Sequence, residues 1–254
     1  MARFFHYVLR TTDVRAARAF YERVLPRGGP CVGLEVHPLH EQAIAHGARP
    51  HWLGHLDVGD VEAAASAFGA RGATPLGPRW VSSDGLEAAV VRDPGGAVIS
   101  LAKPPRQATP DATGLHHPEV VWHELNSDDV ERAKANYREL FGWEFMKPLD
   151  LGDLGVIHPF VWETGGAPVG SMSDVARRSG IHAHWLFHFR VAEIGVAVEA
   201  VRAGGGSVLP LITLPSGARV AVCDDPQGAA FALHESGGAG GRPDFAPAPR
   251  RDSP

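Results

Sequence analysis

Fourteen histidines are spread through the 254 residues. Their placement, not their number, decides what chemistry they could do. His6 stands in an apolar run near the start. The group His51, Trp52, Leu53, His55 and Asp57 returns in the second half as His184, Trp185, Leu186, His188 and Arg190, and Glu124 and His234 lie in apolar runs of the same half. In extended chain, side chains two residues apart share a face at about 6.6 Å spacing. That gathers His6, Val8 and Arg10 with His51, Leu53, His55, Asp57 and Ser100. It separately gathers Trp122, Glu124 and Asn126 with His184, His188, Arg190, Ala232 and His234. Imidazole and carboxylate at such spacing can ligate a divalent ion through nitrogen and oxygen, or pass protons near neutral pH. His6, His55 and Asp57 form one candidate metal set, and Glu124, His188 and His234 a second. Glu124 with His188 and Arg190 would form a carboxylate–imidazole–guanidinium set, with Glu124 and His188 as the acid–base pair. The same residues also have a structural reading. Strict repetition of His-Trp-Leu-x-His favours packed, hydrogen-bonded histidines, and a buried ion pair can simply fix strand pairing.

The remaining histidines carry less. His116 and His117 lie in a proline-rich stretch and read as a solvated pair. His37, His40 and His46 could contribute only if their polar, glycine-flanked stretch folds over a cavity. Two cysteines, Cys31 and Cys223, are too few for a thiolate metal site or a disulfide framework. The net charge of −5 argues against a nucleic-acid partner. No apolar run approaches the eighteen or so residues of a membrane span, and the N-terminus lacks a signal-peptide pattern, so a cytoplasmic protein is expected. The 44% apolar content suffices for real cores. No phosphate loop or nucleophile elbow is present: Gly204 to Gly206 reads as a helix end and turn.

The elements that must position these groups repeat. Residues 4–25 and 120–143 each read as a strand, an Asp at a helix N-cap (Asp13, Asp129), and an amphipathic helix carrying Val14, Ala17 and Tyr21 or Val130, Ala133 and Tyr137. Residues 51–73 and 184–206 repeat a strand and helix, with Asp60 aligned to Glu193. Residues 90–101 and 221–233 close each half as hairpins around Asp-Pro-x-Gly. The pattern is four strand–helix–strands modules, two per half, an α+β architecture produced by duplication. The expected organisation is a domain over 3–102, a Pro-rich linker over 103–118, a second domain over 119–235, and an unstructured tail over 236–254. Only 47 residues separate Asp13 from Asp60, against 64 between Asp129 and Glu193, so the first domain is expected to be trimmed.

The combination of "AFYERVL" and "NYRELFGWEF", the two "HWL" strands and the two Asp-Pro turns resembles the vicinal oxygen chelate superfamily, the group of glyoxalase I, extradiol dioxygenases and the fosfomycin- and bleomycin-resistance proteins. In particular it is similar to the two-domain bacterial members called hydroxylase-like or glyoxalase-like. The resemblance implies paired βαβββ modules, each pair forming a curved, incomplete β-barrel with an open cavity. It also implies metal ligands at three strand positions per pair. Those positions hold His6, Leu53 and Ser100 in the first half and Trp122, Leu186 and Ala232 in the second, so His6 is the one strong metal ligand among them.

The function expected from this is a bleomycin-resistance-like protein that binds a small organic molecule, with degenerate metal positions. His55, Asp57, Trp122, Arg190 and His234 are the candidate ligand-binding residues, and Trp52, Trp162 and Trp185 join Trp122 as candidates to line the cavities. The alternative is a lyase, isomerase or dioxygenase that uses Fe, Mn, Zn or Ni at a non-standard site, with Glu124 and His188 catalytic. A further option makes one half purely structural, so that removing residues 1–117 would leave ligand binding intact. Either a monomer or a homodimer is compatible with this arrangement.

Overall fold

The computed structural model describes residues 1–25, 35–105, 119–152 and 155–237. Most of the expected linker (106–118) and of the expected tail (238–254) lies outside the described residues. The first half runs β1 (Arg3–Thr11), α1 (Val14–Val24), β2 (Glu35–Pro38), α2 (Glu41–Ala45), β3 (His51–Asp57), α3 (Val61–Gly69), β4 (Thr74–Pro75), β5 (Trp80–Val81), β6 (Glu87–Arg92) and β7 (Val98–Lys103). The second runs β8 (Val120–Asn126), α4 (Val130–Phe141), β9 (Glu144–Phe145), β10 (Leu149–Asp150), β11 (Val156–Val161), β12 (Gly170–Ser173), β13 (His184–Arg190), α5 (Ile194–Ala203), β14 (Ser207–Val208), β15 (Ile212–Thr213), β16 (Arg219–Asp224) and β17 (Ala230–Glu235). No helix among the described residues is long and apolar enough to cross a membrane.

The helices start where a side chain can satisfy the free N–H groups of a first turn. Asp13, Asp60 and Asp129 accept from the backbone N–H of Ala16, Ala63 and Arg132 at 2.9–3.0 Å. Glu193 makes no such bond. Glu235, distant in sequence, takes over and accepts from the Ile194 N–H at 2.6 Å.

Each half forms one open sheet. The first is ordered β2-β1-β3-β7-β6-β4, with β5 on β6; the second is ordered β10-β11-β12-β8-β13-β17-β16-β14, with β9 on β11 and β15 on β16. The central pair is antiparallel in both, β1 with β3 and β8 with β13. Parallel neighbours flank it: β2 and β7 in the first half, β12 and β17 in the second. Beyond β1 the described residues supply only β2, where the second half supplies β12, β11 and β10. The first module is therefore the trimmed one.

The two sheets share one core. Phe4, Leu9, Trp52, Leu56 and Leu101 of the first half cluster with Leu125, Trp185, Phe187, Phe189 and Phe231 of the second, and the buried faces of the helices join them. Trp52 packs on Phe189 with ring centroids 4.8 Å apart, and Phe4 meets Phe187 edge-on at 5.5 Å. A β-carbon on Gly54 would lie 2.6–2.8 Å from the Phe187 and Phe4 rings, so this close approach requires glycine. Trp52 and Trp185 thus belong to the joint between the halves and not to ligand cavities, while Trp162 is only partly buried against the shared core.

Polar bonds across the joint are reciprocal. The Tyr21 hydroxyl on α1 donates to Asp225 of the second half's Asp-Pro turn at 3.3 Å and accepts from Trp52 Nε1 at 3.0 Å. The Tyr137 hydroxyl on α4 donates to Asp93 of the first half's turn at 3.2 Å and accepts from Trp185 Nε1 at 3.3 Å. Near the centre, the Tyr7 hydroxyl lies 2.6 Å from His123 Nε2, and His123 Nδ1 lies 2.7 Å from the Val169 carbonyl. The carbonyl can only accept, so Nδ1 carries the proton and Tyr7 donates to Nε2. Burial pushes the His123 pKa down to about 4, which keeps the ring neutral at the joint.

Candidate functional site

The face of the first sheet turned away from the joint carries the polar groups. A bulge between Phe4 and His6 sends Phe4 into the shared core and His6 to the opposite face. From there alternation along β1 aligns His6, Val8 and Arg10. The register sets three rows across the sheet. His6 faces His55, which adjoins Ser100. Val8 faces Leu53 and adjoins Glu35. Arg10 faces His51 and adjoins His37. It is therefore His55, not Leu53, that lies directly across from His6.

Glu35 organises this face. Its carboxylate accepts from His6 Nε2 and from His37 Nε2, the latter at 2.8 Å. The His6 bond is the main reason its pKa is held down to about 2. His55 is 1% exposed and its ring lies 5.3 Å from that of His6. Burial, followed by the charges of His6 and Arg10, pushes its pKa down to about 3, so the ring is neutral. Among the described residues, neither nitrogen of His55 has a hydrogen-bond partner, and neither does the buried Ser100 hydroxyl. Buried polar groups are normally bonded, and here an imidazole with both nitrogens unbonded adjoins an unbonded hydroxyl on the neighbouring strand. Asp57 is not part of the cluster: it ends β3 and accepts from the Gly59 N–H at 3.1 Å in a local turn.

The second sheet presents a different surface at the same places. Trp122 replaces His6, Ser171 replaces Glu35, Asn126 replaces Arg10, and Ala232 replaces Ser100. Trp122, expected to line a ligand cavity, is 0% exposed and packs with Ile157, Leu186, Leu214, Ala218, Val220 and Ala232. Its indole donates to Ser171 Oγ at 3.2 Å. Asn126 is satisfied within a neutral ladder, its Oδ1 accepting from Ser173 at 3.0 Å and its Nδ2 lying 3.4 Å from His184 Nε2. This face carries an apolar cluster around Trp122, with Glu124 at the position equivalent to Val8 and His188 beside it.

The structure brings Glu124 and His188 together, with His188 Nε2 3.2 Å from the carboxylate. The His188 ring is buried and its Nδ1 has no hydrogen-bond partner. His234, fully buried, lies with its ring 6.0 Å from that of His188, and burial lowers its pKa to about 3. Arg190 does not complete the expected triad. It pairs with Glu119 at 2.5 Å and donates to Ser236 at 2.9 Å, near the rim of a groove of about 350 Å³ lined by Trp162, Pro168 and Val169.

Among the described residues no group of three or more His, Cys, Asp or Glu side chains is arranged, as it stands, to hold a metal ion. Sequence reasoning found His6 and His55 but missed Glu35 and left His37 aside. The available signal was the alternating Glu35-x-His37 in the four residues before Leu39.

Residues 114–233 match the family model described as the Glyoxalase/Bleomycin resistance protein/Dioxygenase superfamily. The chain is 27% identical over 248 residues to "Putative glyoxylase CFP32" of Mycobacterium tuberculosis (strain CDC 1551 / Oshkosh), covering 89% of this chain and 91% of that protein. Its fold is similar to the Mn(II)-bound glyoxalase from Novosphingobium aromaticivorans, with a TM-score of 0.59 at 11% identity over 94% of this chain and 84% of that one. It is also similar to the 2,3-dioxygenase LapB from Pseudomonas sp. KL28, with a TM-score of 0.59 at 14% identity over 97% and 96%. The second half thus carries the match to this superfamily, and the first half repeats the order of its central strands.

Proposed function

We propose that the protein binds a small organic molecule on the polar face of its first half, and that the second half serves mainly as the wall on which that face is mounted. The supporting observation is the buried, unbonded pair of His55 and Ser100. An imidazole kept out of water without a partner costs about 1–3 kcal/mol. Such a cost is compatible with a group that finds its partner in a ligand. The corresponding positions of the second half, His188 and Ala232, lie beside an apolar filling.

A second reading has one observation in its favour: the donors His6, Glu35 and His55 sit on three neighbouring strands of that same face. Two imidazoles and a carboxylate suit a divalent ion of the Fe, Mn, Zn or Ni type. The donor set fits such an ion once Glu35 releases His6, whereas Trp122, Ser171, His188 and Ala232 in the second half do not. A bound ion would polarise adjacent ligand oxygens. In that case His37, already bonded to Glu35, would hold the carboxylate in position.

The test combines stability with uptake. His55→Leu removes the unbonded nitrogens and is expected to stabilise the protein by about 1–3 kcal/mol while abolishing occupancy of the face. Elemental analysis of untagged wild type, His6→Ala and His55→Leu separates the two readings. Near-stoichiometric metal lost in both variants selects the metal-dependent enzyme. Metal that survives both variants points to the Glu124, His188 and His234 group. A His55→Leu variant that is destabilised would mean that this histidine is a structural group and would remove the basis of the proposal.

A further inference from the structure

The row beyond Val8 and Leu53 holds Arg10, with His37 and His51 on either side. Its side chain is partly buried on the polar face, and its charge is felt by Glu35, His51 and His55. Among the described residues, its guanidinium makes no hydrogen bond or ion pair. Arginine on a partly desolvated face is ordinarily paired. Glu35, the nearest acid, is already committed to His6 and His37. The second half places the neutral, fully bonded Asn126 at the equivalent position, so nothing in the shared architecture demands a cation there.

We propose that Arg10 is the anchor for a carboxylate on the ligand of the first-half site, which makes the ligand class an organic monoacid. This deepens the reading of that face as a binding site and rests on it. The guanidinium fork matches a planar carboxylate through two parallel bonds. Glu35 beside it disfavours a doubly charged phosphate more than a singly charged acid. Between the Arg10 row and the His6 row lie the apolar Val8 and Leu53, both buried. Four residues along a strand cover about 13 Å. The face therefore suits an acid whose carboxylate is separated by a short apolar body from a second polar group, which would meet His55 and Ser100.

The test measures binding of 3-phenylpropionate, its neutral primary amide, and phenyl phosphate to the full chain by titration calorimetry, with the thermal midpoint of every variant read alongside. Wild type is expected to bind the acid at least tenfold tighter than the amide, and tighter than the phosphate. Arg10→Met should bind acid and amide equally, near the wild-type amide affinity, and Arg10→Lys should recover part of the preference. Equal binding of acid and amide by wild type, no acid binding at millimolar concentration, a stronger preference for the phosphate, or a preference that persists in Arg10→Met would each overturn the assignment. His55→Leu separates this from the underlying reading. If it weakens both acid and amide while Arg10→Met changes nothing, the site stands and the anchor is wrong. If it weakens neither, the site itself is refuted.

Discussion

Asp93→Asn probes the joint between the halves. Asp93 is buried in the first half's Asp-Pro turn, where Oδ1 accepts from the N–H groups of Gly95 and Ala97 at 2.9 and 2.8 Å and Oδ2 accepts from Tyr137 at 3.2 Å. Burial outweighs these bonds and raises its pKa from 3.8 to about 6. A carboxyl whose pKa is higher in the folded than in the unfolded state favours folding when protonated. Its contribution is present in full below pH 3.8 and is lost as the pH climbs through about 6. That interval, at about 1.36 kcal/mol per unit, corresponds to about 3 kcal/mol. Asparagine keeps the turn acceptor and cannot ionise. Urea unfolding of both proteins, followed by tryptophan fluorescence at several pH values between about 4 and 8, gives the comparison. The variant should gain about 3 kcal/mol on wild type across that range. Asp225 is raised in the same direction and remains in both proteins, so it cancels. Parallel stability curves would refute the reasoning, because they would mean that the turn and Tyr137 bonds fully offset burial.

Three further outcomes follow from the same joint. Tyr7→Phe keeps the ring packing but leaves His123 Nε2 without its donor, and should cost about 1–3 kcal/mol in urea unfolding; an unchanged midpoint would show that the bond contributes nothing. Gly54→Ala forces a methyl into the Phe4 and Phe187 rings and should cost about 1–3 kcal/mol, checked by the thermal midpoint. Removing residues 1–117 bares Trp185, Phe187, Phe189 and Phe231, so the remainder should aggregate or pair with itself in sedimentation. A soluble monomer with wild-type ligand binding would restore the view of the first half as dispensable.

What could be read from the sequence was local. The helix starts at Asp13, Asp60 and Asp129 depend on a side chain reaching a backbone group three residues on, so spacing reveals them. The cap on α5 escaped because its acceptor, Glu235, comes from another strand. The Asp-Pro turns were legible as turns, but their tyrosine partners were not: Tyr21 and Asp225 are 204 positions apart. Alternation already placed Trp52 and Trp185 on the face opposite His51, Leu53 and His184, and the core confirms that placement over the expectation that they line a cavity. Glu35 was hidden because β2 is only four residues long, too short to show a period. Trp122 shares its face with Leu186 and Ala232 as alternation implies, but Ile157, Leu214, Ala218 and Val220 join its cluster from segments far along the chain, which no local pattern announces.

The strand bulge at Phe5 has a consequence for how this protein can change. Since odd and even positions of β1 and β3 serve opposite faces, the residues that hold the halves together and those of the proposed binding face are interleaved in sequence yet separated by the thickness of a sheet. Substitution at His6, Val8, Arg10, Leu53 or His55 would change the proposed binding face without touching the side chains of the aromatic seam. On the proposed reading, the scaffold could explore new specificities by drift at a handful of alternate positions of the first half while the second half keeps its packing.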